Sequence, residues 1–414
     1  MAEAVLPLAA SPAAVGLSAA PLARLSDLLR ADVERGAIPG AVVLVARHGQ
    51  MAWHEAFGLE DGSRAMRPGS LFRIAAMTRP IVAAAALALV EEGRLALSDA
   101  VALYLPEFAH VQVGVEEGQG AARRLRLQAP HRPMTVLDLL RHTSGLTYGM
   151  FGDSLVQRLY READVMAPDQ TNAEMSLKLA DLPLQGQPGA VFEYGMSTDV
   201  LGRVIEVASG RELDRVVSER ITGPLGMADT GFRAAPHAGG GLARPRGGPR
   251  TPPAVLFDYD PARPLAWCSG GAGLISTAHD YSRFCQMLLS GGTLGGAQVL
   301  LRKSVAAMLA DHLPAEIAFG TSTPGLGINA PTPELGQGYG LGVGVRCRDV
   351  LAHVPGSVGD FFWGGALGTY FWADPREQLV AVLMLQENDI AVRARYRSLL
   401  RHAVYDALRA SRRD

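Results

Sequence analysis

An arginine at the head of an apolar helix is the first residue in this sequence that invites chemistry. From Pro80 the chain reads Ile-Val-Ala-Ala-Ala-Ala-Leu-Ala-Leu-Val to Val90, with Gly93 just beyond. Ala and Leu give high helix propensity with little bulk, and Gly93 is a natural C-terminal stop. The run is too short to span a bilayer, so a buried core helix is expected. Arg79 stands at its start, where the helix dipole disfavours a cation. A buried guanidinium needs a carboxylate, carbonyls or a ligand. Two readings are evenly matched at this point: an arginine paired with a nearby acid, or one facing a pocket. Other chemistries are poorly represented. Cys268, Cys285 and Cys347 are scattered without metal-ligand spacing and read as small buried residues of a reduced compartment. Neither a metal nor a cofactor is expected. Gly270-Gly-Ala-Gly273 is not followed by Lys and is no phosphate loop. A Gly-x-Ser-x-Gly elbow is absent, which argues against an α/β-hydrolase.

The stretch Phe72-Arg-Ile-Ala-Ala-Met-Thr-Arg-Pro80 resembles the nucleophile motif of the β-lactamase-related serine hydrolases: class C β-lactamases, esterases and acyltransferases on one fold. In that family a helix opens with Ser-x-x-Lys. The Ser is acylated, and the Lys one turn later helps to deprotonate it. The matching positions here are Ala76 and Arg79. Ala has no nucleophile, and Arg stays protonated, so it is no general base. Lysine occurs only at Lys178 and Lys303, preceded three residues earlier by Met175 and Leu300, so no other Ser-x-x-Lys exists.

Further phrases carry the same resemblance. Leu139-Leu-Arg-His-Thr-Ser-Gly-Leu146 is taken as a structural turn whose short hydroxyls bond backbone, with His142 a buried, satisfied histidine. In Phe192-Glu-Tyr-Gly-Met-Ser197, Tyr194 matches the family's acid/base tyrosine, and Met196 replaces an amide. Trp363-Gly364-Gly365 matches the esterase form of the third motif. The resemblance implies an oxyanion hole from the backbone N–H groups of Ala76 and Ala366. It also implies a pocket using Trp363, Gly364, Gly365 and Met196. It covers roughly Leu22 to Ala410.

The positioning elements follow from periodicity. Leu22, Leu25, Leu28, Leu29 and Val33 share one helical face, closed by Gly36. Residues 40–46 and 51–57 read as a hairpin around Arg47-His-Gly-Gln50. Leu97-Ser-Asp-Ala100 is expected to begin a helix capped by Ser98 or Asp99, and residues 111–133 to form a surface excursion. Thr135-Val-Leu-Asp138 is a capping-box-like start. Asn172 is expected to cap a helix through Leu179. Another helix is expected over 198–208, and residues 234–253 are a Gly-, Pro- and Arg-rich loop. Thr277 and Asp280 cap a helix to Leu289, and 304–310 is helical. A Pro/Gly-rich segment spans 313–338. Strands follow within 339–346, 361–372 and 378–385, then a helix over 390–410.

These elements predict an α/β (α+β) fold: a β-lactamase-like antiparallel sheet flanked by terminal helices, with a mostly helical region inserted. Residues 22–57 and 268–410 would make the sheet-plus-helix domain and 58–267 the helical one, with the pocket at their junction. The chain has 414 residues, 48% hydrophobic and 19% charged, at a net charge of −2. That balance gives no electrostatic case for nucleic acid. No membrane span is expected. The start of the sequence lacks a basic leader region, and a cytoplasmic protein is the expectation.

Three functions fit. The first is a non-covalent catalyst of elimination, isomerisation or cyclisation on a small carbonyl-containing substrate, with Arg79 as fixed cation and Tyr194 as acid/base. The second is a pseudohydrolase that binds a ligand or partner. The third is an esterase- or amidase-type hydrolase in disabled form, or one using another nucleophile.

Overall fold

The computed structural model describes residues 6–234, 241–248, 260, 266–350 and 354–411. Most of the Gly/Pro/Arg-rich loop expected over 234–253 lies outside the described residues. Within its described part, Leu242 bridges Leu71.

One antiparallel sheet organises the molecule. Its strands are β1 (Gly40–Arg47), β2 (Gln50–Gly58), β3 (Gln337–Tyr339), β4 (Gly344–Arg346), β5 (Phe361–Gly364), β6 (Tyr370–Asp374) and β7 (Leu379–Leu385). Their order across the seven-stranded sheet is β3-β4-β5-β6-β7-β1-β2. The N-terminal hairpin is thus built onto the C-terminal strands, with Ala41 opposite Leu385 and Arg47 opposite Leu379. β1 is apolar on both faces because both are covered. Ala41, Val43 and Val45 pack towards helices α1 (Ala19–Glu34) and α5 (Ile390–Ser411). Val42, Leu44 and Ala46 face the larger core, which includes α2 (Thr78–Glu91), α3 (Ser197–Ser209) and α4 (Ala278–Leu289). Alternation along a strand produces this division, since successive side chains point to opposite faces.

Helix α2 is the buried helix foreseen from its alanines, and every side chain from Thr78 to Leu89 is buried. No side chain caps it. Thr78 instead accepts the Leu274 N–H at 3.0 Å, and Tyr281 donates its hydroxyl to the Met77 carbonyl at 2.9 Å. These two bonds seat the start of α2 against the 274–281 segment.

Several local expectations are corrected. Residues 113–117 and 124–128 are not an irregular excursion but an antiparallel hairpin. Alternating charge conceals it: Glu117 pairs with Arg124 and Arg126, and Glu116 with Arg123. The helix expected from Leu97 is reduced to short 3-10 turns at Val101–Leu103 and Pro106–His110. Asp99 turns back to accept the Ala96 N–H there, and Pro106 lacks the N–H that would continue the turn. The cap before Asn172 is Thr171, which forms a reciprocal capping box with Glu174. The Thr135–Asp138 box and the Thr277 cap form as expected.

Candidate active site

The start of α2, the end of β5 and the first turns of α5 converge on a cavity of about 390 Å³. Met150, Phe151, Leu326, Ile328, Trp363 and Ile390 give it apolar walls. Residues 324–329 form one side, anchored where Ala318–Phe319 pairs in parallel with Val191–Phe192.

The backbone around position 76 is unusual. Ala75 has φ +44°, a left-handed conformation for a residue with a Cβ. Such strain persists only where the surroundings impose it. It turns position 76 into the cavity, which Ala76 lines. The chain beside β5 comes up directly against this turn. A Cβ on Gly365 would lie 2.4 Å from the Ile74 carbonyl oxygen, so only Gly permits the approach. Ala366, the next residue, also lines the cavity. Among the described residues the N–H groups of Ala76 and Ala366 have no hydrogen-bond acceptor.

Arg79 lies at the cavity floor and is 1% exposed. No carboxylate among the described residues is within ion-pair reach of it. Its Nη1 donates to His142 Nε2 at 3.1 Å, to Thr198 Oγ1 at 2.9 Å and to the Gly195 carbonyl at 3.4 Å. Its Nη2 donates to the Tyr148 hydroxyl. The guanidinium lies over the Tyr194 ring, 4.3 Å from the centroid, in cation–π geometry. Burial opposes its charge, but the phenols of Tyr148, Tyr194 and Tyr339 with Asp199 outweigh that, so its pKa is raised. His142 is driven well below its usual range by burial and then by Arg79, so the imidazole is neutral and can accept from the arginine. Of the two readings open for Arg79, the ion pair is therefore excluded among the described residues. The arginine reaches the cavity, yet most of its donors are used internally.

Tyr194 lines the cavity, and its hydroxyl accepts the Trp363 indole N–H at 3.3 Å. Gly195 is required beside it, because a Cβ there would meet the Leu146 carbonyl oxygen at 2.5 Å. Trp363, Gly364 and Gly365 all line the cavity. Met196 does not. It is fully buried in the larger core, at the N-terminal boundary of α3, where its apolar side chain packs. The expectation that it contributes to the pocket is corrected accordingly.

Sequence reasoning missed Tyr148, Arg393 and Arg397, all of which line the cavity. Tyr148 lies two residues beyond the Leu139–Leu146 phrase taken as a structural turn. Arg393 and Arg397 are four residues apart on α5, hence on one face. That spacing was a visible signal. Arg397 donates from Nη2 to the carbonyls of Gly365 at 2.6 Å and Thr369 at 3.2 Å. Burial, then Arg393, lowers its pKa to about 10.

A family model described as Beta-lactamase matches residues 25–406. The chain belongs to the beta-lactamase family. This family member is 34% identical over 384 residues to Protein Rv1367c of Mycobacterium tuberculosis, across 88% of this chain and 90% of that one. It is 32% identical over 416 residues to Esterase EstB of Burkholderia gladioli, across 95% and 98%. The solved structure of EstCE1, a hydrolase with promiscuous acyltransferase activity, matches with a TM-score of 0.75 and 26% identity, covering 93% of this chain and 98% of that one. Its relatives thus include esterases and acyltransferases. The antiparallel sheet with flanking helices agrees with the fold expected from the sequence. Among the described residues no helix is long and apolar enough to cross a membrane.

Proposed function

We propose that this family member binds a small carbonyl-containing ligand without being acylated by it, and that its site suits elimination, isomerisation or cyclisation. The supporting observation is the pair at positions 76 and 79. The cavity receives a methyl group where the family motif has a hydroxyl, and a guanidinium held by His142, Thr198 and Tyr148 where it has an amine. A guanidinium cannot serve as the base.

The remaining equipment acts without a covalent intermediate. The N–H groups of Ala76 and Ala366 are main-chain donors and survive loss of the serine side chain. They polarise a carbonyl oxygen placed between them. Tyr194 gives or takes the proton, with the Arg79 guanidinium lying over its ring. Substitute nucleophiles are poorly placed. Thr78 is occupied by the Leu274 N–H, and Ser144 is buried against Ser197 at 2.8 Å. Ser357 lies in a separate cleft with Pro355 and Tyr405. Binding without turnover is the second reading, favoured by the internal use of the Arg79 donors.

The test is reaction with a short-chain nitrophenyl ester and with a serine-directed phosphonate. We expect no burst and no covalent adduct. Weak turnover does not count against the proposal, since a serine protease stripped of its catalytic residues keeps about 10³–10⁴-fold over water from the oxyanion hole and binding. A stoichiometric adduct overturns it. Ala76→Ser/Arg79→Lys is expected to gain esterase activity by orders of magnitude and to lose it again with Tyr194→Phe.

A further inference from the structure

The polar lining of the cavity is lopsided. Arg79, Arg393 and Arg397 line it, and among the described residues no Asp or Glu does. The hydroxyls of Tyr148 and Tyr194 each accept a hydrogen bond, from Arg79 and from Trp363, and neither donates one among the described residues. Arg79 and Arg397 each bury an Nε without an acceptor. With the two free main-chain N–H groups, the surplus is of donors and positive charge. Asn329, 6% exposed, is an exception, with an Oδ1 that has no partner among the described residues.

These donors are grouped. Arg397 lies flat on the end of β5, where a Cβ on Gly364 would stand 2.9 Å from its Cζ. It grips the Gly365 carbonyl, the opposite edge of the peptide group that carries the Ala366 N–H. Its hydrogen-bond acceptors are main-chain carbonyls, and no carboxylate among the described residues pairs with it. Arg393, one turn earlier, feels Glu387 and Asp389 electrostatically but forms no ion pair among the described residues. Two guanidiniums thus flank the strand end that carries a main-chain donor, opposite an apolar wall.

We propose that the ligand of this cavity is a free carboxylate on an apolar body. One oxygen sits between the N–H groups of Ala76 and Ala366, and Arg397 and Arg393 match the charge. The proposal rests on the non-acylating reading of position 76. In an acylating site such N–H groups meet a full negative charge only in passing. A resident anion needs a nearby cation to offset its desolvation, and Arg397 supplies one. The methyl of Ala76 leaves room for the second oxygen, and Phe151, Leu326, Ile328 and Ile390 receive the hydrocarbon. No bond forms or breaks on binding.

Calorimetry with octanoate and 3-phenylpropanoate, each against its neutral primary amide, tests the assignment. Each acid is expected to bind at least about tenfold more tightly than its amide, as befits hydrogen bonds to a charged group. Arg393→Gln is expected to weaken acid binding by about tenfold and to leave amide binding unchanged. Arg397→Gln does the same, and Arg397→Lys restores part of the loss, with circular dichroism confirming that each variant is folded. Equal affinity of acid and amide, indifference of the acids to Arg393→Gln, or no binding of either acid at millimolar concentration overturns the proposal. Phosphonate labelling of the same preparation separates the two ideas. A labelled protein means the reading of position 76 has failed. An unlabelled protein with equal acid and amide affinity means that only the carboxylate assignment has failed.

Discussion

Arg79 carries a buried charge that no carboxylate among the described residues touches. Its compensation is spread over a neutral imidazole, a threonine hydroxyl, a carbonyl, a phenol and an aromatic face. Truncating it therefore removes more than packing. Arg79→Ala leaves His142 Nε2 buried without its donor and opens a void beneath Tyr194. We expect a loss of about 3 kcal/mol in urea unfolding, from the unsatisfied acceptor and the cavity together. Arg79→Lys keeps a donor for one of these partners and costs less. At this scale the sequence was informative about identity and silent about contacts. That Ala76 and Arg79 occupy a motif is legible from four residues. The partners of Arg79 come from positions more than sixty residues away, Tyr148 at a separation of 69 and Thr198 at 119. Periodicity says nothing about such meetings.

Among elements, the turn after Val136–Leu140 deserves a quantitative test, because it delivers His142 and Tyr148. Asp138 holds it. It accepts from Arg132 at 2.6 and 2.9 Å, from Thr143 at 2.7 Å and from the Thr135 N–H at 3.0 Å. Burial pushes its carboxyl up, but these donors outweigh burial, and its pKa falls to about 2 from 3.8. A depressed acid stabilises the fold above its unfolded pKa, and that stability is lost as the pH falls through the folded value. The window is therefore from about pH 4 down to about pH 2, and the contribution at neutral pH is about 2 kcal/mol. Asp138→Asn is expected to lower stability by about that amount at pH 7. It should also flatten the acid limb of a stability–pH curve within that window. The Thr135–Asp138 capping box was readable because both partners lie within one turn. The hairpin at 113–128 was not, because its strands are stabilised by cross-strand charge pairs rather than by an alternating apolar face.

For the whole molecule, buried carboxylates tie α5 to the sheet: Asp374 accepts the Tyr405 hydroxyl at 2.6 Å, and Asp360 holds two arginines. Asp360 Oδ2 accepts from Arg346 Nε at 3.0 Å and from Arg401 Nη1 at 2.8 Å, and the Arg401 guanidinium lies 4.8 Å over the Trp372 ring. Asp360→Ala leaves two buried guanidiniums without a counter-charge. The expected cost is about 3–5 kcal/mol, read from chemical denaturation. Since α5 also presents Arg393 and Arg397 to the cavity, ligand affinity should fall with it. The layered architecture was legible, because apolar runs such as 379–385 must be covered on both faces. That the N-terminal hairpin joins the C-terminal strands was legible too, because neither segment could bury both faces alone; the order of the strands was not.

That strand order also sets a timetable for synthesis. β1 lies between β2 and β7, and the bond from Arg47 to Glu377 spans 330 residues. While the ribosome makes the intervening chain, the β1–β2 hairpin waits with one ladder unfilled and Val42, Val43, Leu44 and Val45 uncovered. Such an edge is a template for wrong partners, and long-range closure of this kind is slow. Refolding from denaturant is therefore expected to lose yield as protein concentration rises, read from recovered soluble protein.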